Sequence, residues 1–236
     1  MFRKIGIFLE SVLFPPDCPF CERIMDYRED FVCGSCLQNL PFISGKRCKC
    51  CGKTVVPEAE LCDDCLKFAH VYKEGRAVFR YEKPVSEAIL RFKYHGRRDY
   101  GNIFAYWMVR YLGDWIREKE IEVIVPVPIH KKRMKKRGYN QAAIIAKKIA
   151  EQMKLDYNES SVVRCKNTIP QKKLSVLGRM GNMKSAFKVA DNRLNNKNIL
   201  IIDDIYTTGM TIDIISICLL KSGAGNVYFA ALSQGV

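Results

Sequence analysis

No apolar run in this 236-residue chain reaches the ~20 residues that a membrane-crossing helix needs. The opening MFRKIGIFLESVLF is basic and then apolar, but Glu10 interrupts it. No small-residue cleavage site precedes the first cysteine, so it reads as an amphipathic helix rather than a signal peptide. A cytoplasmic, reducing location is therefore expected, and it argues against disulfides. Acidic side chains are in short supply, 25 against 39 basic ones, for a net charge of +14. The shortage is uneven. Residues 1–70 hold 9 basic and 10 acidic side chains, residues 71–140 hold 17 and 8, and residues 141–236 hold 13 and 7. The positive field belongs to the larger C-terminal part and suits polyanionic ligands. Large apolar side chains are scarce between residues 18 and 65, so that segment needs staples to fold. The length leaves room for a small unit, 1–70, and a medium one, 71–236.

The staples are cysteines. Nine of the 11 lie within residues 18–65, and eight form C-x-x-C knuckles: Cys18/Cys21, Cys33/Cys36, Cys48/Cys51 and Cys62/Cys65. Each knuckle aims two thiolates at one point, and two knuckles complete a tetrahedral zinc site. The simplest reading is two sequential structural sites, Cys18/Cys21/Cys33/Cys36 and Cys48/Cys51/Cys62/Cys65. Cross-braced pairing, or Cys50 in place of Cys51, is the alternative. Gly34 and Gly52 follow cysteines, where a knuckle turn tolerates positive φ. Cys165 and Cys218 read as incidental and core residues.

The most informative stretch is Ile199–Thr211, ILIIDDIYTTGMT. Four apolar residues read as a buried parallel strand. Asp203 and Asp204 follow, and Tyr206-Thr207-Thr208-Gly209-Met210-Thr211 leads into a helix around 210–222. A strand end, a Gly/Thr turn and a helix N-terminus make an anion site, with outward N–H groups and a favourable dipole. Carboxylates beside such a cradle would repel a phosphate. They fit if they hold sugar hydroxyls or, through water, a Mg²⁺. A 5-phosphorylated sugar carrying a vicinal diol and a metal-bound pyrophosphate satisfies all three groups.

Upstream, Gly75–Tyr81 reads as a strand, Pro84 to about Tyr94 as a helix, and Tyr100–Trp115 as a second helix. Lys93, Arg97 and Arg98 surround Gly96 in a basic connection. Residues 121–126 read as a strand ending in Pro126-Val127-Pro128, and six of the eight residues from His130 to Arg137 are Lys or Arg. Cations beyond a strand end, beside the acidic strand, are where a pyrophosphate would sit. Val127, Pro128, Lys131, Lys132, Arg133, Arg137 and Asn140 are the candidate contacts, to pyrophosphate or to nucleic acid. Tyr94 and Tyr139 lie near these cations, as aromatics do in single-strand binding sites. A helix follows at 141–153, and further core strands are expected at 160–164 and 226–232.

ILIIDDIYTTGMT resembles the phosphoribosyl pyrophosphate (PRPP) motif of type I phosphoribosyltransferases. Cysteine knuckles, then PVPIH…RGYNQA, then DDIYTTGMT, resemble the ComF family of competence proteins over Cys18 to about Gln234. The resemblance implies an α/β fold, a phosphoribosyltransferase-like, mostly parallel sheet flanked by helices, with a small zinc-ribbon head. It implies that Asp203 and Asp204 contact ribose hydroxyls, that Thr207–Thr211 wrap the 5-phosphate, and that Mg²⁺ enters with PRPP. Gln171, Leu174, Arg179, Asn182, Ala186 and Phe187 lie in a family-like stretch, and residues 166–185 fit a loop closing over PRPP. The implied role is handling incoming single-stranded DNA in natural transformation, with a translocase ATPase as a partner and the inner membrane face as the working place. The alternative is an active phosphoribosyltransferase, in which an acceptor displaces pyrophosphate. Enzymes of this fold carry a base-recognising hood, and no nucleobase pocket is evident in this sequence. Cys18 sits in a knuckle, so no glutamine-hydrolysing nucleophile is seen.

Overall fold

The computed structural model describes residues 17–25, 31–165, 186–189 and 194–235. Its centre is a five-stranded parallel sheet built from β1 (Glu74–Arg80), β2 (Val123–Pro126), β3 (Asp156–Tyr157), β6 (Asn198–Tyr206) and β7 (Asn226–Gln234), in the order β1-β7-β6-β2-β3. Parallel strands need both faces covered, which is why β6 and β7 read as near-continuous apolar runs. Ile199, Leu200, Ile201 and Ile202 are all fully buried. The pleat divides them: Leu200 and Ile202 join one core, Ile199 and Ile201 the other.

The first core is closed by α3 (Val85–Tyr94), α4 (Tyr100–Glu118) and α6 (Gln141–Met153). On α4, Tyr100, Phe104, Trp107, Met108, Leu112 and Ile116 recur at helical spacing and are all buried. Each such side chain contributes about 1.5–3 kcal/mol relative to exposure. The second core is closed by α7 (Met210–Lys221) through Ile212, Ile215 and Leu219.

The head lies along β1, the sheet's outer strand. Its segments take up the free edge: Ile43 N donates to Val78 O at 2.9 Å, Arg80 N to Pro41 O at 2.8 Å, and Gly75 N to Cys50 O at 2.7 Å. An uncovered edge would invite pairing with other chains. Cys18 and Cys33 belong to the first core, and Cys48, Cys51 and Cys65 to the second, so the head straddles the sheet. Two very short helices, α1 (Gly34–Asn39) and α2 (Asp63–Lys67), each begin just after a knuckle cysteine.

One expectation needs correction. Residues 160–164 do not join the central sheet. β4 (Val162–Arg164) pairs antiparallel with β5 (Phe187–Val189) in a separate ribbon. Val163 is exposed, which leaves too little apolar surface for a strand buried on both faces. The turn before it is made by Asn158, whose Oδ1 accepts from Ser160 N and Ser161 N and redirects the chain. Lys131–Arg137 forms α5, with His130 Nδ1 accepting from Lys132 N and Gly138 closing the end at φ 78°.

Among the described residues no helix is long and apolar enough to cross a membrane. The predicted N-terminal helix lies outside the described residues.

Phe79 on β1 is fully buried between the head's Phe20 (ring centroids 6.1 Å apart) and Phe42 (4.9 Å). Phe79→Ala should cost about 3–5 kcal/mol in denaturant unfolding, the range for losing a packed aromatic. A loss under about 1 kcal/mol would mean that the head does not depend on this packing.

Candidate functional site

The cleft opens at the C-terminal ends of β2 and β6, where open parallel sheets bind ligands. It encloses about 150 Å³. One wall is Val127-Pro128-Ile129 after β2, continued by Asn140-Gln141-Ala142 at the start of α6. The floor carries Asp203 and Asp204, and Lys93, Arg133, Arg137 and Arg164 also line the space. A second hollow of about 40 Å³ is lined by Asp203 and Ile205–Ile212. The two share Asp203 and Thr211, so the acid pair and the Thr/Gly turn form one continuous surface.

The carboxylates are held differently. Asp204 is buried and paired with Lys93, whose Nζ donates to Oδ1 at 2.8 Å from the end of α3. Asp203 accepts from the Asp204 backbone N–H at 2.8 Å. Burial first, and the Asp204 charge second, push the Asp203 carboxyl up to about 7. A ligand that donates hydroxyl hydrogens, or brings a cation, stabilises the ionised form. On the facing side, burial and then the charge of Arg133 lower the pKa of Arg164. The Arg133 charge is thus felt at Arg164, and the Asp203 carboxylate opposes its effect.

Gly209 caps α7 at φ 75°. A Cβ there would stand 2.6 Å from Tyr206 Oη and 2.8 Å from His70 Cε1, so both conformation and space demand glycine. Glycine has no side chain to cap the helix, which leaves first-turn amides for an anion. The turn is braced from behind. His70 Nδ1 lies 2.8 Å from Asp213 Oδ2, and Val71 N donates to Asp213 Oδ1 at 2.9 Å. His70 stacks on Tyr72, and the Tyr72 and Tyr206 hydroxyls share a hydrogen bond of 2.7 Å. The segment joining the head to β1 thus buttresses the turn.

In the head, the sulfurs of Cys18, Cys21, Cys33 and Cys36 lie within 4.8 Å of one another, as do those of Cys48, Cys51, Cys62 and Cys65. Cys21–Cys33 at 3.6 Å and Cys51–Cys62 at 3.5 Å approach the ~3.8 Å that tetrahedral Zn–S bonds of ~2.3 Å require. Both donor sets fit structural zinc, in the sequential pairing. Cys50 falls outside them. Gly52 has the expected positive φ, 77°, and its Cβ would meet Gly75 O, whereas Gly34 begins α1 without it. Cys218 is half-buried with its thiol toward Phe187 O, and Cys165 is exposed.

The predicted residues Val127, Pro128, Arg133, Arg137 and Asn140 come together in the cleft with the acids. Lys131 and Lys132 do not line it. Helical spacing turns Arg133 and Arg137 inward and leaves Lys131, Lys132, Lys135 and Lys136 exposed on the outer face. Lys93 and Arg164 complete the cation set. In the sequence Lys93 stands out only as part of a basic connection, and Arg164, at the end of a weakly apolar strand, gives no signal. Arg97 is engaged elsewhere, with Asp17 and Asp99. Tyr139 is buried, its hydroxyl donated to Phe92 O. Gln171, Leu174, Arg179, Asn182 and the proposed closing loop lie outside the described residues.

This architecture is a cysteine-stapled ribbon head on a parallel α/β domain, and comparison agrees with it. Residues 9–66 match the family model described as the double zinc ribbon domain. The chain is 28% identical over 222 residues to competence protein F of Haemophilus influenzae, covering 92% of this chain and 96% of that one. It is 28% identical over 201 residues to competence protein ComFC of Bacillus subtilis, covering 83% and 80%. It is 26% identical over 183 residues to the DNA utilization protein YhgH of Escherichia coli, covering 76% and 80%. Over most of its length the chain is thus similar to competence protein F and to competence protein ComFC. Among solved structures it is similar to a purine phosphoribosyltransferase from Pyrococcus horikoshii, at TM-score 0.37 and 17% identity over 56% of this chain and 73% of that one. It is also similar to a phosphoribosylpyrophosphate synthetase from Mycobacterium smegmatis, at TM-score 0.35 and 17% identity, covering 55% of this chain but only 33% of that one.

Metal analysis should find about two zinc per chain, and Cys51→Ser should lose one of them; equal metal in both proteins would overturn the second site. The ligand-free protein should also lose stability as pH rises. Between the ordinary Asp value of 3.8 and about 7, the folded state keeps the Asp203 proton that the unfolded chain has released. Asp203→Asn should therefore gain melting temperature relative to wild type from about pH 4 to about 7, with no gap at lower pH. A gap independent of pH would show that Asp203 titrates normally.

Proposed function

We propose that this chain binds PRPP and acts as a ComF-type protein of natural competence, handling incoming single-stranded DNA. The observation that carries the reading is the continuity of the cleft. An acid pair, a glycine-capped helix start and a cationic wall each suit a different part of one molecule. The 5-phosphate sits on the Thr207–Thr211 turn, the ribose diol donates to Asp203 and Asp204, and pyrophosphate meets Arg133 and Arg164. Binding favours ionised Asp203, because hydroxyl donors and the Mg²⁺ carried by pyrophosphate offset the burial that raises its pKa. Both acids flank the sugar; were an acceptor nucleophile to bond to the sugar carbon as its bond to pyrophosphate breaks, they would stabilise the positive charge developing there.

The names of the relatives supply the context of DNA uptake and use. The exposed lysines of α5, outside the cleft, supply a surface for a phosphate backbone. PRPP with Mg²⁺ should raise the melting temperature of wild type by several degrees. The Asp203→Asn/Asp204→Asn variant should lose that rise while keeping its fold. An equal rise in both would remove the acids from the site. Single-stranded DNA binding should weaken steeply with salt. Neutralising Lys131, Lys132, Lys135 and Lys136 should flatten the log–log slope by up to about 3, at roughly 0.7 for each phosphate no longer neutralised. An unchanged slope would move the DNA surface elsewhere.

A further inference from the structure

Tyr94 closes α3 directly after Lys93, the residue bonded to Asp204. It is 53% exposed, although its neighbour reaches the floor of the cleft. The guanidinium of Arg137 lies over the Tyr94 ring, 4.9 Å from its centroid. It is held by two further bonds: Nη2 donates to Tyr94 Oη at 3.0 Å, and Nη1 donates to Gln141 Oε1 at 3.1 Å. Arg137 itself lines the cleft. A solvent-facing tyrosine and a tethered arginine thus stand side by side at the mouth of the sugar-phosphate site. Beside them Asn140, 6% exposed, donates through Nδ2 to Val127 O, and its Oδ1 has no hydrogen-bond partner among the described residues. That is a buried acceptor on the wall that an N–H or O–H donor would satisfy.

Flat, sequence-tolerant recognition of a heterocycle uses this combination, because aromatic and guanidinium faces both stack on the π-face of a base. Tyr139 is unsuited to the task, being buried under Arg98 with its hydroxyl bonded to Phe92 O. We propose that Tyr94 and Arg137 form a nucleobase platform at the cleft mouth, placing a purine or pyrimidine ring beside the sugar held by Asp203 and Asp204. This rests on the PRPP and DNA reading above and adds to it the site for the base. The same ring could belong to a nucleotide of single-stranded DNA or to a free base.

The test uses the full-length, zinc-loaded chain. Binding is measured by fluorescence anisotropy for a labelled ten-residue oligo(dT) and for a labelled abasic strand of the same length. Binding of adenine and of thymine in the presence of PRPP and Mg²⁺ is measured by calorimetry. Tyr94→Ala should weaken a base-bearing ligand about tenfold, a typical loss for removing one stacking aromatic, and should change abasic-strand affinity less than about twofold. Tyr94→Phe keeps the ring and should stay within about threefold of wild type. Circular dichroism and zinc content confirm that both variants fold. A loss on oligo(dT) assigns the platform to DNA, and a loss confined to free bases assigns it to an acceptor. Equal losses on oligo(dT) and the abasic strand, or none on any base-bearing ligand, overturn the platform. If wild type binds neither PRPP nor oligo(dT), the underlying reading fails as well.

Discussion

The site depends on one brace, the packing of His70 and Tyr206 against Gly209. A turn that offers free amides to an anion carries little stabilisation of its own, because those amides are not bonded within the helix. Something else must hold it open. Here His70, locked by Asp213, and Tyr206, locked by Tyr72, occupy the volume behind the glycine and leave one path for the backbone. The Asp213 carboxylate sits in the first turn of α7, where it is favourable to the helix dipole. It accepts both the ring and the backbone amide of the linker, so its charge is taken up on the side away from the cup.

That brace explains why the ribbon head and the α/β domain share a chain. Tyr72 packs edge-on to Phe229 of β7, and Gln234 at the end of the same strand donates to Cys51 O at 3.1 Å. The second cysteine cluster therefore rests on the strand beside the Thr/Gly turn. A four-thiolate site orders a segment that has too few apolar residues to order itself. The ordered segment then protects β1 and fixes His70 relative to Gly209. Zinc held by these thiolates, far from the cleft, would act on the cup through packing alone.

What is legible in the sequence is local. ILIIDDIYTTGMT states strand, acids, turn and helix start in one unbroken stretch, and the C-x-x-C spacing marks the metal ligands, while the fold decides how the four knuckles pair. Tertiary contact is not legible. Lys93 reaches Asp204 across 111 positions and His70 reaches Asp213 across 143, and no periodicity encodes either. The 130–137 run is a middle case: its composition announces an anion site, but only the helix between His130 and Gly138 decides which cations face it. Residues 160–164 mislead because a short apolar run looks the same whether a sheet or a two-stranded ribbon receives it.

The cleft sets an acid pair on its floor against several cations. Lys93 takes Asp204, while Asp203 has no cation directly bonded to it among the described residues, and Arg133 and Arg164 stand close enough to oppose each other. Such an arrangement is costly in an empty site and favourable in one filled by a ligand with hydroxyls at one end and phosphates at the other. A surface selected only for DNA backbone would have no use for buried acids beside its cations, since they would repel the strand. The separation of charge is what a sugar phosphate spans, and it links the local geometry of β6 to the function proposed for the whole chain.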